Sequence, residues 1–235
     1  MNDMPAHLAA GGTLGIVSAS AARRAWLTAE LALIFAGAPI AMRAAVHDWH
    51  VPLFAALLPV FVLALALLIA DPTFRLRTEL SRGFSWLQLL SILAVFGVAG
   101  GVVIYYVWLI HPQWYLEFPK SRPQMWARIM LLYPVASVAV QELVYRTFYF
   151  HRYGPLFGGQ RWLGILLNGA LFGFAHIVIG TTFAILATFA TGTLFALRYS
   201  STRSFWAVFV EHTLWGWLVF TVGLGRFFFT GVSNL

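Results

Sequence analysis

The chain of 235 residues contains no cysteine. That excludes a disulfide framework, a thiolate zinc site and a cysteine nucleophile. Charge is scarce as well. Asp, Glu, Lys and Arg make up 10% of the residues, where a soluble domain carries about 25%. Only 8 residues are acidic and lysine occurs once, at Lys120, so arginine carries almost all of the positive charge. No clustered basic face is visible, and nucleic-acid binding is not expected. A basic n-region followed by an apolar run is missing from residues 1–22, so no cleavable signal peptide is expected and the first span serves as an uncleaved anchor. Internal repeats and domain-separating linkers are absent too.

What the chain has in quantity is apolar sequence, 60% hydrophobic residues with 17% aromatic. A bilayer core of ~30 Å is crossed by about 20 residues at ~1.5 Å each. Seven stretches qualify: Ala25–Val46, Val51–Ala70, Trp86–Ile110, Met125–Phe150, Trp162–Gly180, Thr182–Tyr199 and Phe205–Leu224. The reading is an all-α, polytopic transmembrane helical bundle of about seven spans. It divides into a cytoplasmic N-terminal segment (1–24), accessory helices (25–124), a core of four helices (125–225) and a C-terminal tail (226–235). With seven crossings, Arg23, Arg24, Arg75, Arg77, Arg82, Arg152, Arg161, Arg198 and Arg203 share one side. Arg43, Lys120, Arg122 and Arg226 share the other. Positive charge marks the cytoplasmic side, so the expected protein sits multi-pass in the cell membrane with its N-terminus inside and its C-terminus outside. The aromatic run Phe227–Phe229 reads as an interfacial anchor.

Against this apolar background five ionisable residues stand out: Glu142, Arg146, His176, Glu211 and His212. Each costs at least ~2.5 kcal/mol in hydrocarbon, so each is expected to face protein or a wet cavity. Glu142 and Arg146 are four apart on a helix and can pair. The pair is either a packing device or a carboxylate held ready for proton transfer. His176 and His212, on separate helices, are either packing residues or partners of that carboxylate in activating a water. Two histidines and a glutamate also leave a divalent metal open, although no His-Glu-x-x-His spacing is present. Asn168 reads equally as a helix-contact residue or a site residue, and Gly164, Gly169, Gly173 and Gly180 read as close-packing positions. Glu30 is expected to pair with Arg43 or to mark a tilted first helix.

The sequences Gln141-Glu142-Leu143-Val144-Tyr145-Arg146, Phe172-Gly173-Phe174-Ala175-His176 and His212-Thr213-Leu214-Trp215-Gly216 occur in this order on successive spans. Together they resemble the EExxxR, FxxxH and HxxxN motifs of the CPBP family, the type II CAAX prenyl endopeptidases and bacteriocin-processing (Abi) proteins. The resemblance covers about residues 125–225. It implies an intramembrane endopeptidase that cleaves a membrane-associated peptide or protein near the bilayer surface, with no cofactor. By the same resemblance His176 helps activate water, His212 donates to the oxyanion and Arg146 holds the carboxylate.

Two positions depart from the pattern. Gln141 replaces the first glutamate, and an amide is not a general base. Gly216 replaces the asparagine, one oxyanion donor, whose loss typically costs ~10²–10³ in rate. Glu142 is the preferred substitute base and Glu211 the second candidate. Glu142 lies ~100° around the helix from Gln141. The alternative is a non-catalytic protein on the same scaffold that binds peptide or lipid, as an immunity protein would. A proton-coupled transporter ranks last, because paired midplane helix breaks are not visible. Measured from the cytoplasmic ends, Glu142 and His212 lie ~10–12 Å deep and His176 ~20 Å, so a shared site requires helix tilt or a raised start of the fifth helix.

Overall fold

The computed structural model describes residues 20–228. Most of the N-terminal segment 1–24, and the tail beyond Phe228 with Phe229 of the aromatic run, lie outside the described residues. Seven long helices match the seven apolar stretches: α1 (Ala21–His47), α2 (Leu53–Ala70), α3 (Trp86–Ile110), α4 (Pro123–Arg152), α5 (Arg161–Ala175), α6 (Thr182–Thr202) and α7 (Phe205–Val222). Six of them are long and apolar enough to cross a bilayer, α5 together with its C-terminal turn to Val178. The seventh, α2, is apolar over Ala55–Ala70.

Polar contacts sort the chain into two ends. At one end, Arg152 forks onto Glu30 at 2.6 and 2.8 Å, and Arg24 donates to the carbonyl of Leu156. There also Arg161 donates to Ser200 and Ser201, and the Trp206 indole to the carbonyl of Leu80. At the opposite end, Arg43 and His47 reach the carbonyls of Ile177 and Val178, and Thr181 donates to the carbonyl of Phe227. Helix α2 connects these ends. It begins just after His47 and finishes at Asp71, whose carboxylate is 3.3 Å from His151. Hydrogen bonds from the hydroxyl and amide of Thr73 hold the Asp71 carboxyl below the usual carboxylate range.

Glu30 therefore pairs with Arg152 and not with Arg43. The guanidinium of Arg152 is planar and meets both carboxylate oxygens at once, and Tyr153 and Trp26 donate to the same group. Arg43, about four turns further along α1, is at the other end of the bundle.

The core lies between α1, α2, α4 and α5. Phe35 is fully buried, with the rings of Tyr145, Tyr149 and Tyr153 edge-on around it at 5.1–5.9 Å. α5 and α6 form the closest helix pair. A Cβ on Gly169 would lie 2.9 Å from the backbone nitrogen of Thr193, and one on Gly173 would lie 2.8 Å from the carbonyl oxygen of Ile185. Without side chains at these points the two backbones approach directly. Gly180 has another role. Its φ of +82° closes the tight turn between the two helices, a conformation that L side chains rarely adopt. α3 packs on α7 through Gly100, Val107, Leu218 and Val222 and leaves most of its apolar surface outward, as a lipid-facing helix does.

Candidate active site

The site begins with an irregularity in α4. Pro134 has no N–H and so leaves the carbonyl of Met130 without its helical partner. The indole of Trp217 on α7 takes that carbonyl at 2.9 Å. The helix widens into a π-turn at Pro134–Val138 and again at Leu143–Phe148, leaving one short α segment, Ala139–Glu142, between them. Such π-turns often accompany functional sites. Asn168 on α5, fully buried, donates to the carbonyl of Tyr145 within the second π-turn at 2.6 Å, so it serves the helix contact.

Glu142 ends this α segment and is wholly buried. Its Oε1 accepts from Nδ1 of His212 at 2.7 Å, and its Oε2 lies 3.3 Å from Nε of Arg146. Arg146 is buried as well, which is tolerable because its charge is paired. The guanidinium also donates to the carbonyl of Gly192 at 3.3 Å and lies over the rings of Phe172 and Phe195 at 4.6 and 5.5 Å. A carboxylate facing Nδ1 of His212 puts the proton of the neutral ring on Nδ1 and leaves Nε2 as the acceptor. The hydroxyl of Tyr133 sits 3.2 Å from that Nε2.

His176 is fixed in the same tautomer by a different partner. Its Nδ1 is 2.8 Å from the carbonyl of Phe172, one turn back, so Nδ1 donates and Nε2 is free to accept. The residue opens the 3₁₀ turn His176–Val178 that ends α5. Its carbonyl and the next two are all occupied: His176 by the amide of Ile179, Ile177 by Arg43 at 2.6 Å and Val178 by His47 at 2.8 Å. The first helix thus pins the turn that carries the histidine.

A cavity of about 760 Å³ opens beside these groups. Tyr133, Ser137, Gln141, His176, His212 and Gly216 line it. Phe172 is its hub, with His176 at 4.9 Å and His212 at 5.7 Å between ring centroids. Both histidines therefore meet one ring, although the count along the sequence sets them at different depths. Gln141, not Glu142, is the motif side chain on the wall. Its Nε2 donates to Ser137 at 2.7 Å, while its Oε1 is buried with no protein partner. The cavity also extends beyond the four core helices. Ile34 and Met42 of α1 and Val60 of α2 line it, so the expected accessory helices complete its apolar wall.

Glu211 is placed elsewhere. Although adjacent to His212, it points to the other side of α7 and takes a bidentate hydrogen bond from Arg198 at 2.8 and 2.8 Å. Among the described residues no group of three or more His, Asp or Glu side chains is placed to hold a metal ion. Glu142, the nearest carboxylate, already has its oxygens turned to His212 and Arg146.

All of these core side chains, from Tyr133 to Gly216, fall in one segment. Residues 123–218 match the family model described as type II CAAX prenyl endopeptidase Rce1-like. That match supports a CPBP-family assignment for this segment. That family generally comprises proteases. No match is found among curated proteins or among solved structures. The matched segment spans α4, α5, α6 and most of α7, and the protein is a multi-pass membrane protein. Tyr133 and Ser137 were not legible as site residues from the motifs. A signal was nonetheless present: Tyr133, Ser137 and Gln141 form a polar stripe at spacing four along an otherwise apolar helix.

Proposed function

We propose that the protein is a membrane-embedded endopeptidase that hydrolyses a peptide bond of a membrane-associated peptide or protein, with water activated in the cavity. The reading is carried by the buried Glu142–His212 contact at the wall of a cavity that His176 also lines. Both imidazoles line that cavity, and a carboxylate stands behind one of them. In this reading Glu142 acts through His212, because the carboxylate is wholly buried and its Oε1 accepts from that imidazole. His212 is the base that takes a proton from water, and His176 accepts the second hydrogen bond that orients it. The hydroxide attacks the scissile carbonyl carbon. Glu142 stabilises the imidazolium formed on His212, as a buried carboxylate does for a catalytic histidine. Collapse of the tetrahedral intermediate breaks the C–N bond, and His212 returns the proton to the leaving amine.

The apolar walls from α1 and α2 suit a substrate that is itself held at the membrane, where apolar residues flank the scissile bond. The arginine distribution supports an orientation with the Arg24, Arg152 and Arg161 end in the cytoplasm of a cell-membrane protein and the Arg226 end outside. The test is cleavage of internally quenched apolar peptides in proteoliposomes. Wild type is expected to cleave, and Glu142→Ala and His176→Ala to lose cleavage. Wild-type rates in both variants would overturn the reading.

A second reading is favoured by one observation: where the first motif has its leading glutamate, the side chain on the cavity wall is an amide, Gln141. In that reading the domain binds a peptide or lipid without cleaving it. Gln141→Glu separates the two. A large gain of hydrolysis over an inactive wild type supports the non-catalytic reading, whereas an active wild type matched by the variant supports the dyad.

A further inference from the structure

Gly216 and Tyr133 fit one another as two halves of a single feature. The ring of Tyr133 fills the space beside Gly216 so closely that a Cβ at position 216 would fall inside the ring's van der Waals surface and 2.7 Å from its hydroxyl oxygen. Any side chain at 216 would expel the tyrosine, so glycine is what admits it. The ring is held edge-on by Phe220 at 5.5 Å and His212 at 6.2 Å. Its hydroxyl meets Nε2 of His212 at 3.2 Å and borders the cavity. An asparagine amide nitrogen is two bonds from its Cβ, about 2.4 Å by standard bond lengths. The tyrosine hydroxyl is therefore at the radius where an asparagine at 216 would carry its donor.

We propose that Tyr133 is a catalytic residue whose hydroxyl donates to the substrate's developing oxyanion, in the space that Gly216 leaves open. In the resting site this hydroxyl donates to Nε2 of His212. When substrate and water enter, rotation of the O–H turns the same proton toward the carbonyl oxygen and frees Nε2 to take the proton of water. No bond is made or broken at the tyrosine, which remains protonated throughout. A phenol suits this role, because its hydroxyl is a donor at neutral pH and its ring keeps water from the apolar side of the intermediate.

The inference rests on the endopeptidase reading, and its test separates the two. Wild type, Tyr133→Phe, Tyr133→Ala and the double variant Tyr133→Ala/Gly216→Asn are reconstituted with an internally quenched apolar peptide. Binding of that peptide's phosphinic-acid analogue, whose P–O⁻ mimics the oxyanion, is measured in parallel. Tyr133→Phe keeps the ring and the fold, and kcat is expected to fall ~10²-fold with KM within about twofold. The double variant is expected to cleave faster than Tyr133→Ala, because the amide restores a donor. A Tyr133→Phe rate within about threefold of wild type would overturn the assignment. If wild type cleaves no peptide, the endopeptidase reading fails and the phosphinic analogue decides for Tyr133. Binding at least ~10-fold weaker in Tyr133→Phe upholds the donor. Equal binding, or none to either protein, overturns it.

Discussion

Nδ1 of His212 stands 2.7 Å from Oε1 of Glu142, and the carboxylate behind this contact has no exposed surface. The glutamate therefore reaches the cavity only through the imidazole. Its other oxygen is turned to Arg146, also buried, so one carboxylate sets the tautomer of a histidine and neutralises an arginine. Neither partner is replaceable without disturbing the other.

Glu142→Gln is expected to separate these two duties. In the proposed reaction the lost negative charge no longer supports the His212 imidazolium, and kcat should fall ~10²–10⁴-fold. Arg146 is left as an unpaired buried charge, which typically costs ~3–5 kcal/mol. Adding Arg146→Met should restore part of the thermal stability and none of the activity, as thermal unfolding and peptide cleavage on the same preparations will show.

His176 depends on the first helix. His176→Ala should abolish cleavage. Arg43→Ala removes the tie from α1 to the carbonyl of Ile177 and loosens the turn carrying the histidine, and kcat should fall about 10-fold, since small displacements of a reacting group are costly. Arg43→Ala should have no additional effect on any residual rate in the His176→Ala background. Additive losses in that double-mutant cycle would show that Arg43 acts by another route.

Glu211→Gln should differ from Glu142→Gln in leaving kcat unchanged. It breaks the fork from Arg198 and leaves that guanidinium partly buried, at a cost of about 1–3 kcal/mol. The melting temperature should drop while kcat per folded molecule stays at the wild-type value. A fall in kcat at unchanged stability would place Glu211 in the chemistry.

Two glycines give contrasting outcomes. Gly169→Val would press a branched side chain against the backbone of Thr193, where a Cβ already comes within 2.9 Å of nitrogen, and α5 would be forced from α6. Poor yield of folded protein and a large loss of thermal stability are expected. Gly101→Ala on α3 meets nothing within 4 Å. It should be neutral or stabilise the helix by up to ~1 kcal/mol. Thermal unfolding in one detergent compares the two directly.

The spans were legible because each is a local property. Twenty apolar residues in a row are a crossing helix whatever their neighbours do, and the seven stretches and seven helices coincide to within a few residues apart from the ragged helix ends. The Glu142–Arg146 pair was legible for the same reason, since positions four apart share a helical face. Partners on different helices were not. Glu30 could not be assigned to Arg152, 122 positions away, from spacing alone. Nor could Glu211 be assigned to Arg198, because two adjacent residues of α7 point to different neighbours. The depth count along straight helices set His176 apart from the other site residues, whereas the packing of three helices around Phe172 brings both histidines to one ring.

By itself the sequence determined that the chain crosses a membrane several times, which of its few polar residues must be buried, and which motif each belongs to. Those follow from hydropathy, helical period and residue order along one strand of covalent chain. Only the tertiary structure decided that Gln141 rather than Glu142 faces the cavity, that α1 secures the turn at His176, and that Tyr133 fills the gap at Gly216. Each of these depends on how helices distant in sequence rotate and press against one another. The π-turns in α4 change that rotation without leaving a simple mark in the spacing of its side chains.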